Sequence, residues 1–299
     1  MKIKALLKTR LTACLDIVME LAERKINYLP QRVRLSTYPY ISGDNFLCES
    51  DVAIVGGEIV KRCGVNRQGR KLVVFCDGES VGKLMDWSKG KNDIGAVVYH
   101  NTDKEPSDLL IESCSVWGAK LFAVNLKKQG DGHTCIPLGI ENVHYRSNTS
   151  LTYYNALPVS IKKDNRIGIL LSARVNTNTV AREKCVEELK KIGIKNELLD
   201  RNRYRERLAN AKYVVCPRGN GLDTHRFWEA LYNKAIPVVI KEDALFAAGE
   251  VPCLVLDRWC DLSGYSEDDL ERYYNKAWEV EYNALNPYYW ANCIWNSVR

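Results

Sequence analysis

The chain has 299 residues, 46% hydrophobic and 27% charged, enough for about two domains of roughly 100–200 residues with full cores. Its net charge of +6 is spread without a run of five or more Lys/Arg; this argues against the basic stripe of a nucleic-acid binder and leaves either a pocket for an anion such as a diphosphate or a solvated basic surface. The eleven cysteines are scattered, form no C-x-x-C pair and sit in apolar runs at Cys76 and Cys216, which excludes a disulfide framework and reads as buried free thiols in a reducing, cytoplasmic setting.

Taken from the N-terminus, Leu7, Leu11, Cys14, Val18 and Leu21 recur at three- and four-residue steps between Leu6 and Ala22. They predict an amphipathic helix, not a signal peptide or a membrane span, which needs about 20 apolar residues. Lys2, Lys4, Lys8 and Arg10 would let that helix rest on an anionic membrane; packing against its own domain is the competing expectation. Short apolar runs bounded by Gly, Asp or Asn follow at Val33–Tyr38, Val52–Val55, Leu72–Cys76, Ala96–Tyr99 and Leu121–Val124, and read as buried strands. A polar, irregular stretch from Glu141 to Asp164, holding Asn148-Thr149-Ser150 and Pro158, marks a boundary near residue 150. The second half repeats the scheme with strands at Ile167–Leu171, Glu197–Leu199, Tyr213–Cys216, Ile236–Ile240 and Leu254–Leu256, and helices at Val180–Ile192 and Thr224–Asn233. Strands alternating with helices predict an α/β protein with parallel sheets. The expected organisation is a Rossmann-like domain over 1–150 and a second over 151–299 with C-terminal helices, facing each other across a cleft, with ligands at the carboxyl ends of the strands.

The segment Tyr213–Ile240 carries the most chemistry. A strand ends at Pro217, a turn Arg218-Gly219-Asn220-Gly221 follows, and a helix starts near Asp223, a good N-cap residue. Glycines bring backbone N–H groups close to a ligand and the helix N-terminus favours negative charge, so the segment reads as a diphosphate cradle. Arg218 and Arg226 flank it with forked donors, and Glu229, one turn past Arg226, can accept hydrogen bonds from ribose hydroxyls; the competing reading makes Arg226 and Glu229 a surface ion pair. Trp228 and Leu231 read as core. The loop Ser172–Asn178, which follows a strand and leads into a helix, can complete the phosphate site or be an ordinary capped helix start.

The string C-P-R-G-N-G-L-D-T-H-R-F-W-E-A-L followed by I-P-V-V resembles the donor-binding signature of exostosin-like glycosyltransferases. Further segments resemble the viral, phage and algal branch of that family: Pro39-Tyr40-Ile41-Ser42-Gly43-Asp44, Tyr99-His100-Asn101-Thr102-Asp103, Leu121-Phe122-Ala123-Val124-Asn125, Ile136–Asn142, and Asn176-Thr177-Asn178 with Arg182 downstream. The resemblance implies a GT-B fold and an inverting transfer from a UDP-sugar to a hydroxyl of a glycan acceptor. It implies Arg218 and Arg226 on the diphosphate and Glu229 on the donor ribose; the arginines and helix termini of the cradle, with no Asp-x-Asp beside it, lead to the expectation of no cofactor beyond the donor. The resemblance places Gly219, Asn220, Gly221, Asn176, Thr177 and Arg182 in the same donor site. Asn233-Lys234-Ala235 and Leu47 depart from the pattern, at positions where glycine with small residues and a basic residue are expected.

Two other signals compete. Asp77 and Glu79 close an apolar strand as Asp-x-Glu, a pair able to hold a divalent cation on a diphosphate, as in the other major glycosyltransferase fold. Gly56-Gly57 lacks the full G-x-G-x-x-G spacing of a dinucleotide turn. The four histidines are far apart, and no Cys/His spacing suggests a zinc site. For the catalytic base, Asp44 in its Ser-Gly-Asp turn ranks first and His100 at a strand end second, with a helix cap and a core histidine as the respective alternatives. A protein that holds a nucleotide-sugar without turning it over is the reading from a different class.

Overall fold

The structure is a computed structural model, and it describes residues 37–62, 69–127, 130, 132–142, 153–154, 168–246 and 249–299. The expected N-terminal helix, residues 33–36 of the first expected strand, and most of the boundary stretch with Asn148-Thr149-Ser150 lie outside the described residues. Thr37 and Tyr38, at the end of that expected strand, lead into a turn.

The protein is α/β, with two mainly parallel sheets. The first contains β1 (Val52–Val55), β2 (Glu58–Arg62), β3 (Leu72–Asp77), β4 (Ile94–His100), β5 (Lys120–Ala123) and β6 (His133–Cys135), in the order β2-β1-β3-β4-β5-β6. All its neighbours are parallel except β1 and β2. These two form a hairpin turned at Gly56-Gly57, where φ is 58° and 75°. Both central residues lie in the left-handed region, as a two-residue hairpin turn requires, so the glycines serve the hairpin. Strands β1, β3 and β4 are buried along their whole length, which explains their unbroken apolar runs. Strands β2 and β6 have no counterpart among the expected strands. Both are edge strands, and their polar residues blur the apolar signature.

The second sheet is parallel throughout, with β7 (Ile169–Leu170), β8 (Tyr213–Val215), β9 (Ile236–Ile240) and β10 (Leu254–Leu256) in the order β10-β9-β8-β7. The expected strand Glu197–Leu199 is instead an irregular segment tied to the sheet by one bond, from Glu197 N to Leu171 O at 2.8 Å. Helices α1 (Gly43–Cys48), α2 (Val81–Ser88) and α3 (Asp108–Trp117) accompany the first sheet. Helices α4 (Thr179–Lys191), α5 (Arg201–Asn210) and α6 (His225–Tyr232) accompany the second, and α7 (Glu267–Ala277) and α8 (Pro287–Asn296) close the chain.

The side-chain alternation of β8 sets how the two halves meet. Tyr213 and Val215 enter a core on the outer side of the second sheet, whereas Val214 and Cys216 join the core built around the first sheet. Helix α6 packs on that shared side through Phe227, Trp228, Ala230 and Leu231, so Trp228 and Leu231 are core residues as expected. Helix α8 also joins the first core through Trp290 and Ile294. Val298 O accepts from Lys71 N at 3.1 Å, Trp295 Nε1 donates to Glu49 at 2.8 Å, and Arg70 stacks 4.1 Å from the Trp295 ring. The last helix, expected with residues 151–299, therefore packs against the first sheet. Among the described residues every cysteine is a free thiol, most of them buried, and no helix is long and apolar enough to cross a membrane.

Candidate functional site

The loops that follow β1, β3, β4, β6, β7 and β8 open into one cleft of about 1180 Å³. These are carboxyl ends of parallel strands, where peptide N–H groups and helix N-termini converge on a ligand.

The floor of the cleft is built from hydrogen bonds between the two halves. Asn125, left-handed at φ 57°, accepts from Leu222 N and Asp223 N at 2.9 Å each and donates to Thr102 O at 3.0 Å. Its side chain thereby fixes the glycine-rich turn of the second half to the loop after β4. A Cβ on Gly221 would stand 3.0 Å from the Asn125 amide and 3.1 Å from Asp103 O, so this turn must stay lean for the halves to close. Asn220 donates to Asp103 Oδ2 at 3.3 Å across the same seam. Asp223 accepts from Leu138 N at 2.8 Å and from Trp228 Nε1 at 2.9 Å. Burial pushes its carboxyl up to about 6 against the pull of these donors. Asp223 is thus a structural tie, and Thr224 is the N-cap of α6.

One wall is cationic. Arg182 in the second turn of α4 and Arg226 in the first turn of α6 both line the cleft. Arg182 is held by bonds from Nε to Arg218 O at 3.0 Å and from Nη1 to Arg174 O at 2.9 Å. Burial and the like charge of Arg226 lower its pKa. Burial also works against the Arg226 charge, but Tyr204, Cys216 and Glu229 outweigh it and the net shift is upward. The buried Nε of Arg226 has no hydrogen-bond partner. Asn176 and Thr177 line the cleft just before α4, and Asn178 Nδ2 ties that loop to Gly219 O at 2.9 Å. Gly219, Asn220 and Gly221 line it from the other side. The structure thus brings together all the expected donor-site residues except one.

The exception is Arg218. Its guanidinium does not line the cleft; it turns toward Asp243 at 3.7 Å and Asn220 O at 3.2 Å. Its backbone carbonyl, which anchors Arg182, is its contribution to the site. Sequence spacing sets where a residue stands on a turn and leaves open which way its side chain leaves it. Glu229 faces the cleft beside Arg226 and accepts a long 3.4 Å bond from Tyr204 Oη. Burial raises its carboxyl against the opposing charges of His225 and Arg226. This is a cleft pair, and the surface ion pair is not what forms. Of the departures from the family pattern, Lys234 sits at φ 55°, a conformation natural to glycine, and Leu47 is buried in the first core.

The opposite wall corrects the expected base. Asp44 lies in the first turn of α1, capped by Ser42, with its amide bonded to Asn142 Oδ1 at 2.9 Å. It is 1% exposed and not part of the cleft wall, where its neighbour Gly43 stands instead. Gly43 approaches so closely that a Cβ would fall 1.8 Å from Asn101 Oδ1, and this tight packing leaves the Asp44 side chain inside. His100 does border the cleft, but both ring nitrogens are occupied. Nδ1 accepts from Asn101 N at 2.7 Å and Nε2 faces Pro137 O at 3.0 Å. Burial drives it down to about 4, so it is a neutral, hydrogen-bonded core histidine. Asp77 and Glu79 line the same cleft from the first-sheet side.

Sequence reasoning passed over His225. It opens α6 with Nδ1 at 2.8 Å from Gly139 O and Nε2 at 3.4 Å from Glu141 Oε1. Two acceptors on two nitrogens call for the doubly protonated ring. Burial pulls the other way, yet Glu141 and the Gly139 carbonyl raise it to about 9. Its position directly before Arg226 in the glycine-turn helix was the available signal. Among the described residues no group of three or more His, Cys, Asp or Glu is arranged to hold a metal ion.

No family model matches the chain, and no curated protein matches it in sequence.

Proposed function

We propose that the protein is an exostosin-like, inverting glycosyltransferase that moves a sugar from a UDP-sugar to a hydroxyl of a glycan acceptor, with its two sheets arranged as the halves of a GT-B enzyme. The observation that carries this reading is the convergence of Arg182, Arg226 and His225 with the N-termini of α4 and α6 on one wall of the cleft. Two cations in the first turn of α6 oppose the helix dipole, and burial and the like charge of Arg226 lower the pKa of Arg182. A bound anion with two or more charges, as a diphosphate has, matches this concentration of positive charge and helix ends.

The parts then have distinct tasks. Arg182, Arg226 and the amides before α4 and in the glycine turn take the diphosphate. Glu229, one turn further along α6, accepts from the ribose hydroxyls. Held cationic by Glu141, His225 adds positive charge where the leaving group develops its negative charge. The first-sheet wall receives the acceptor. The positive charge comes from side chains and helix ends, so no cofactor is required beyond the donor itself.

Titration with UDP, UMP, ATP and a panel of UDP-sugars tests the reading, together with release of UDP in the presence of oligosaccharide acceptors. UDP and at least one UDP-sugar should bind well ahead of UMP and ATP, and that sugar should be transferred. Tight binding with no transfer or hydrolysis would make the protein a nucleotide-sugar-binding module. No preference for the diphosphate would overturn the assignment of the cationic wall.

A further inference from the structure

The expected base, Asp44, lies outside the cleft wall, and His100 has no free ring nitrogen. The acceptor side nevertheless offers another group. Asp77 ends β3, in register with His100 at the end of β4, and lines the cleft opposite the arginines. It is 8% exposed. Its Oδ2 accepts from Gly56 N at 2.8 Å, while Oδ1 is buried with no hydrogen-bond partner. The turn that carries it is rigid. Ser80 N bonds Asp77 O at 3.1 Å, Gly57 N bonds Ser80 Oγ at 2.9 Å, and a Cβ on Gly78 would fall 2.2 Å from Thr102 Oγ1.

A buried carboxylate oxygen left unpaired is costly, and such atoms in folded proteins call for an explanation. Of the other carboxylates around the cleft, Glu79 is exposed and Asp200 caps α5, and the rest are committed. Glu229 stands with Arg226 and Tyr204 on the cationic wall, Asp223 accepts three donors, Glu141 holds His225 and Asp103 receives Asn220. Asp77 is held by one oxygen and leaves the other, buried at the cleft margin, without a partner, which suits a fixed proton acceptor.

Building on the glycosyltransferase reading, we propose that Asp77 is the catalytic base. The acceptor hydroxyl gives its proton to Asp77 Oδ1 as its oxygen bonds the anomeric carbon. The bond from that carbon to the diphosphate oxygen breaks on the opposite side, and its electron pair leaves with the nucleoside diphosphate toward Arg182 and Arg226. One proton is transferred, one C–O bond forms and one breaks, with inversion at carbon and no further reactant.

The test uses the full chain, UDP, and whichever UDP-sugar the wild type turns over, with water or glycan as acceptor. Asp77→Asn keeps an oxygen for Gly56 N–H and should hold UDP affinity within about twofold while UDP release falls about a hundredfold or more. Asp77→Ala supplies the reading that a structural role would not move. Azide has no proton to lose, so adding it should restore UDP release and yield the inverted glycosyl azide. Turnover of Asp77→Asn within about fivefold of wild type places the base elsewhere. Loss of UDP affinity in Asp77→Asn makes the residue a donor-side or structural group, and a UDP-binding Asp77→Ala that azide does not rescue removes the base role. Wild-type activity abolished by EDTA and restored by Mn²⁺ assigns Asp77 and Glu79 to a cation instead. A wild type that binds no nucleotide-sugar and releases no UDP fails the glycosyltransferase reading itself, before any variant is made.

Discussion

Replacing Arg226 and Arg218 by alanine, one at a time, separates two arginines that the sequence places symmetrically around the glycine turn. Arg226 lines the cleft with a buried Nε lacking a partner, and Tyr204, Cys216 and Glu229 keep it charged. A charge-assisted hydrogen bond from such a donor to phosphate is worth about 1.5–3 kcal/mol, and each 1.4 kcal/mol is about tenfold, so Arg226→Ala should weaken UDP binding by roughly ten- to 150-fold. Burial shields the contact from salt, so the loss should persist at about 0.5 M NaCl, where exposed pairs are screened. Arg226→Lys keeps the charge without the forked donors and should fall between wild type and alanine. The Arg218 guanidinium, whose Nε is also buried without a partner, faces Asp243 and Asn220 O outside the cleft, so Arg218→Ala should change UDP affinity by less than about threefold. Calorimetric titration with UDP, run beside thermal unfolding of each variant, measures both effects. Equal losses in the two alanine variants, or an Arg226→Ala protein that is folded and binds UDP normally, would refute the assignment of the cationic wall.

The seam and the charged groups yield further expectations. Asn125→Leu leaves the buried amides of Leu222 and Asp223 without their acceptor and should cost about 2–5 kcal/mol in urea unfolding, with loss of UDP binding as the glycine turn detaches. The pKa of His225 is raised to about 9 in the folded protein. Its contribution to stability is therefore full below its ordinary value near 6.5 and is lost as pH rises through about 9. Thermal stability should decline over that window, and Glu141→Gln should flatten the decline. Because side chains and helix ends supply the positive charge of the donor wall, activity should survive EDTA; complete loss restored by Mn²⁺ would transfer that role to a metal held by Asp77 and Glu79.

Much of the fold was legible locally. Strands β1, β3, β4, β8 and β9 are buried on both faces, so each is written as an unbroken apolar run, and the helices expected at Val180–Ile192 and Thr224–Asn233 are found as α4 and α6. The glycine turn before α6 and the polar loop before α4 were likewise readable, since a strand–turn–helix junction is made of backbone and helix ends that are contiguous in sequence. Edge strands β2 and β6 were not, because a strand with one open edge carries polar residues. The return of α8 to the first sheet was not, because an amphipathic helix shows that it has a partner without showing which one. The site divides in the same way. Of the cationic wall, Arg226 was found from its place after the glycine turn, Arg182 only through the family resemblance and His225 not at all, and the direction of each side chain was decided by contacts between segments distant in sequence. Arg218 swings to Asp243, some two dozen positions on; Arg182 is gripped by the Arg218 and Arg174 carbonyls; Gly139 and Glu141 charge His225 from the other half; and close packing at Gly43 seals Asp44 inside. The unpaired oxygen of Asp77 belongs to the same class. Local sequence dictates backbone conformation and burial pattern, whereas the partners that determine a side chain's charge and aim are brought together only when the two sheets close on each other.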